Sequence, residues 1–183
     1  MERGIVLIDF DGVINNPKKD RNALEKISNI IKFMFIDLKI PLITKLMMYK
    51  ELINYKVEID NNVLQFMEDL KKEGYPVFII TANPYWKAIR DSIGKELNIP
   101  VINAKPLDKL IIAKRLKEIT KRDVILIDDG YEIKLYAKLS GSEELISYKN
   151  GHNIFIHEGK NIEELRNLIR INKVENSAMK IKT

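Results

Sequence analysis

The chain of 183 residues has room for one domain, or one domain with a small insert. Its composition, 45% hydrophobic and 31% charged, excludes a disordered or fibrous class, and the lack of cysteine excludes a disulfide framework or a thiolate metal site. The net charge of +5 mildly favours anionic partners and says nothing about fold.

The first element is Ile5–Asp9, a continuous apolar run that ends on Asp9, with Asp11 two residues further on. The run is broken by charge too early for a signal peptide. Residues 15–59 form a segment too long for one crossover helix. Within it Asn22 and Glu25 make a capping-box-like start, and Leu24, Ile27, Ile31, Met34 and Leu38 fall on one face. Pro41 then breaks the pattern and Leu42–Ile53 reads as a second helix. The apolar stretch Ile30–Tyr49 carries Lys32, Asp37, Lys39 and Lys45. Those charges argue against a membrane span.

Asp60 caps a helix bearing Val63, Leu64, Phe66, Met67 and Leu70, which Gly74 ends. Val77–Thr81 is the second β-type run. Asn83-Pro84 then predicts a cap with proline at the first helical position, opening a helix over Tyr85–Leu97. Val101–Asn103, a helix over Leu107–Ile119, Val124–Asp128, Asn153–His157 and a last helix over Asn161–Ile171 follow. Asn172–Thr183 reads as a loose tail. Continuous apolar runs alternating with helices predict an α/β fold with a parallel sheet covered on both faces.

In such sheets ligands sit beyond the carboxyl ends of the strands. Those ends deliver Asp9 and Asp11, then Thr81 with the Ala82 and Asn83 amides, then Lys105, then Asp128 and Asp129 with Glu132 nearby. Hard carboxylate oxygens suit Mg²⁺, which takes one or two protein carboxylates and keeps several waters. A hydroxyl, helix-start amides and a lysine suit a phosphate. An aspartate can attack phosphorus, and a second can carry the proton. Lys109, four residues after Lys105, is a close rival for the lysine that reaches the site.

DFDGV, IITAN, AKP and LIDDG, in that order on alternating strand ends, resemble motifs one to four of the haloacid dehalogenase-like (HAD) superfamily. The resemblance implies a Rossmann-like sheet in the order 5-4-1-2-3, with a core of residues 1–14 and 60–171. It also implies a helical cap at 15–59, a tail at 172–183, and Mg²⁺ as cofactor. By matched position it implies Asp9 as nucleophile and metal ligand, and Asp11 as general acid/base with its carbonyl on the metal. Thr81 and Lys105 would hold the phosphoryl oxygens, and Asp128 the metal. Ile127 stands where many members have Gly, and Glu132 where many have a second Asp. The division of metal duty among Asp128, Asp129 and Glu132 therefore stays open.

In the family it resembles, an acid at position 11 implies a phosphatase or a phosphomutase. The expectation is therefore a phosphatase acting on a small phosphorylated metabolite, with a phosphomutase using the same residues as the alternative. The lack of cysteine and of a signal peptide suits a cytoplasmic location. A non-catalytic nucleic-acid binder is a further alternative. Its basis is the basic run of Lys109, Lys114, Arg115, Lys117, Lys121 and Arg122. That run reads better as a solvated helix face leading away from the site, which disfavours nucleic acid as a partner. The apolar surface of the insert leaves a homodimer through it open.

Overall fold

The computed structural model describes residues 3–15, 57–128 and 153–156, and, in a final helical stretch, residues 163, 165–167 and 169. The predicted cap helices, Asp129, Glu132 and the tail lie outside the described residues.

Five strands form one parallel sheet: β1 (Ile5–Asp9), β2 (Val77–Thr81), β3 (Val101–Asn103), β4 (Val124–Asp128) and β5 (Asn153–Ile156). Their spatial order is β3-β2-β1-β4-β5. β1 is central and every one of its residues is buried, as is every residue of β4. Alternate side chains go to opposite faces. Val6, Ile8, Ile125 and Ile127 join one apolar cluster, and Ile5, Leu7, Val124 and Leu126 join the other. Both faces are covered, which is why these strands read as unbroken apolar runs rather than alternating ones.

The first cluster is closed by helix α1 (Asn61–Lys72) through Val63, Phe66, Met67 and Leu70, with Leu165 and Ile169 of the final helical stretch. Asp60 caps α1 by accepting the Asn62 N–H at 2.9 Å. The helix ends in a Schellman motif: the Tyr75 N–H bonds to the Leu70 carbonyl and the Gly74 N–H to that of Lys71. Gly74 takes the positive φ of 85° that this ending needs. Arg166 ties the final stretch to α1 by pairing with Asp69, and its guanidinium lies over the Phe66 ring, 5.5 Å from the centroid.

The second cluster is closed by helix α3 (Pro106–Thr120) through Leu110 and Ala113. Lys105, just before Pro106, is extended (φ −65°, ψ 161°). A residue preceding proline is sterically pushed there.

The helix after β2 departs from expectation. Helix α2 starts at Trp86, spans Trp86–Ile89, and passes into a π-helical turn over Arg90–Gly94. Pro84 and Tyr85 lie in a turn instead of the first helical positions. Asn83 still makes the bond of a cap, its Oδ1 accepting the Tyr85 N–H at 2.8 Å, but its carbonyl accepts the Trp86 N–H at 3.1 Å in a tighter three-residue turn, and the α-helix begins after it.

The π-helical turn brings Gly94 against β3. A Cβ built there would lie 2.8 Å from Val101 Cγ2 and 3.1 Å from the Ile99 carbonyl oxygen. Gly94→Ala is therefore expected to cost about 1–3 kcal/mol by overpacking, read as a lower urea midpoint. An unchanged midpoint would show that β3 can yield without cost.

Candidate active site

Sheet register sets the site. Ile8 is level with Ile127, so one residue later Asp9 and Asp128 leave the sheet side by side. Asp9 is level with Ile80, which puts Thr81 one step beyond it. Asp9 is 5% exposed and Asp128 3%, so neither acid is a solvated strand end. Two buried carboxylates this close need a cation.

Lys109 supplies one. Its Nζ lies 2.7 Å from Asp9 Oδ2 and 2.9 Å from Asp128 Oδ2, and the residue is 5% exposed. Burial is the largest single influence on this ammonium and pushes its pKa down. Asp128 and Asp9 together overturn that and hold the pKa above the ordinary lysine value. The two carboxylates therefore hold Lys109 in its charged form. Asp9 is fixed at both oxygens, because its Oδ1 also accepts the Phe10 N–H at 2.8 Å.

The lysine that the structure puts between the two acids is thus Lys109, the rival, where the sequence reading favoured Lys105. The reason is helical position. Lys109 sits at the end of the first turn of α3, among its buried positions Pro106, Leu110 and Ala113. Lys105 precedes the helix, is half-buried, and accepts the Lys109 N–H at its carbonyl.

Asp11 is half-buried just beyond β1. Gly12, at φ 86°, turns the chain sharply after it. The loop closes through Asn15 N–H to the Phe10 carbonyl (2.7 Å) and Gly12 N–H to the Asn15 carbonyl (2.8 Å). Asp11 Oδ2 accepts from Asn83 Nδ2 at 2.8 Å, and Oδ1 from Asn15 Nδ2 at 3.4 Å. Asn15 is itself buried, and its Oδ1 accepts the Glu58 N–H at 2.7 Å.

Thr81 is fully buried and its Oγ1 accepts the Asn83 N–H at 3.0 Å. The Asn83 amide, expected on a phosphate, is thus donated within the protein. Ala82 lies between them, half-buried. Sequence reasoning missed the Asn15 side chain and the bond from Asn83 to Asp11. The available signal was an asparagine just after each of two strand-end motifs, at positions where carboxylates converge.

Among the described residues no three acidic or imidazole side chains gather as a metal cluster. Asp9 and Asp128 nonetheless offer hard oxygens that already share one cation. That donor set fits Mg²⁺, which takes only one or two protein carboxylates. Also among the described residues, no helix is long and apolar enough to cross a membrane.

The chain matches no protein-family model and no curated protein. Among solved structures it is similar to the HAD domain of the effector protein Lem4 from Legionella pneumophila, an inactive mutant. The identity is 17% and the TM-score 0.43, over 92% of this chain and 93% of that one.

Proposed function

We propose that the protein is a HAD-type phosphomonoesterase that acts through an aspartyl-phosphate on Asp9 and depends on Mg²⁺. The observation that carries this reading is the buried pair Asp9–Asp128 at adjacent strand ends, held by one buried lysine. A pair of buried acids costs stability unless it serves a cation or a reaction. The ordered set of four motifs supports the same reading.

In this scheme an Asp9 oxygen attacks phosphorus while the phosphorus–oxygen bond to the alcohol breaks. Asp11 gives its proton to the departing oxygen, then takes one from water. The resulting hydroxide oxygen attacks phosphorus, the bond to Asp9 breaks, and inorganic phosphate leaves. Lys109 holds Asp9 in place and offsets negative charge, and Thr81 and Lys105 are assigned to the phosphoryl oxygens. Mg²⁺, held by Asp9, Asp128 and the Asp11 carbonyl, with Asp129 or Glu132 as further candidates, would neutralise charge on the transferring group.

Asp9→Asn removes the nucleophile and keeps the shape. With an aryl phosphate and Mg²⁺, turnover is expected to fall by a factor on the order of 10³ or more. Wild-type turnover in this variant would sink the assignment.

A further inference from the structure

Asn83 uses every polar group it has. Its N–H goes to Thr81 Oγ1, its carbonyl takes the Trp86 N–H, its Oδ1 takes the Tyr85 N–H, and its Nδ2 donates to Asp11 Oδ2 at 2.8 Å. The Tyr85 contact settles which end of the amide is oxygen, so the Nδ2 faces Asp11 by necessity. Asn83 is also 5% exposed, so packing restricts its side chain as well. A buried side-chain amide held at both ends, on a backbone bonded at both its N–H and its carbonyl, is a rigid mount.

We propose that Asn83 is the positioning residue for Asp11: it anchors one carboxyl oxygen and so aims the other at the oxygen of the departing alcohol. Asn15 Nδ2 meets that second oxygen at 3.4 Å, so the 2.8 Å bond from Asn83 is the shorter and better formed of the two. This inference rests on the phosphatase reading of the site, and it assigns Asn83 to proton delivery in place of phosphate binding.

The test exploits leaving groups. A nitrophenolate departs without a proton, whereas an alkoxide needs one, so only the alkyl ester depends strongly on an aimed acid. Asn83→Asp keeps the acceptor for the Tyr85 N–H and turns the donor facing Asp11 into a like-charged oxygen. Asn83→Ser keeps an acceptor near Tyr85 and deletes the donor without adding charge. Both variants and the wild type are assayed in Mg²⁺ with p-nitrophenyl phosphate and with an alkyl phosphate, and their folding is checked by thermal unfolding.

In both variants kcat/KM for the alkyl ester is expected to fall at least about tenfold further than for the aryl ester. Equal losses on the two esters would mark Asn83 as merely structural and overturn the proposal, as would an unchanged ratio. A wild type that hydrolyses neither ester would overturn the phosphatase reading, and this proposal with it. A wild type active on both, with insensitive variants, would overturn this proposal alone.

Discussion

Replacing Lys109 with methionine is expected to lower the unfolding free energy by about 3–5 kcal/mol at neutral pH. Methionine is close to lysine in length and apolar, so packing against α3 and the sheet is largely kept. What is lost is the ammonium that touches both Asp9 and Asp128. Two buried carboxylates are then left facing each other, and the folded state must either bear the repulsion or take up a proton or a cation. Urea unfolding measures the loss. Repeating it in Mg²⁺ separates the causes: a cation that binds only the folded variant restores about 2.7 kcal/mol when present at a hundred times its Kd. A variant as stable as the wild type would mean that the acids do not rely on Lys109. A variant indifferent to Mg²⁺ would count against Asp9 and Asp128 as a cation site.

Phe66→Ala is expected to cost about 3–5 kcal/mol. Phe66 is 1% exposed and sits between α1 and the sheet, among the largest fully buried side chains. It is also the platform for Arg166, whose guanidinium lies over its ring while pairing with Asp69. Truncation opens a cavity and removes that platform at once. Amide exchange at residues 165–167 and 169 should therefore quicken more than global destabilisation alone predicts. Uniform quickening across the chain would show that Arg166 is held by Asp69 without help from the ring.

The sheet was legible because both faces are covered. IVLID and VILID could only be strands with apolar neighbours on each side, and such strands deliver their last residues together. Asp9 and Asp128 followed from that. The choice between Lys105 and Lys109 did not, because both lie within one helical turn and sequence spacing cannot say which of them faces the sheet. The start of α2 was also misread. Asn83 does make the capping bond to the Tyr85 N–H, but a three-residue turn bond from Trp86 to its carbonyl delays the α-helix to Trp86. Tertiary contacts hid the role of Asn15. A lone asparagine after a turn reads as a solvated loop residue until its partners, Asp11 and Glu58, are seen around it. The predicted cap at 15–59 falls mostly outside the described residues.

The strap at Asn15 has a consequence for how such a protein can change. Ile14 accepts the Asp60 N–H at 2.9 Å, Asn15 accepts the Glu58 N–H, and Asn15 bridges to Ile59. The two ends of the intervening chain are thus stapled together beside Asp11 by bonds between the loop after β1 and the residues just before α1. Closing a loop whose ends are already fixed adds little entropy cost with each added residue. Insertions between the staples are therefore expected to add little closure cost.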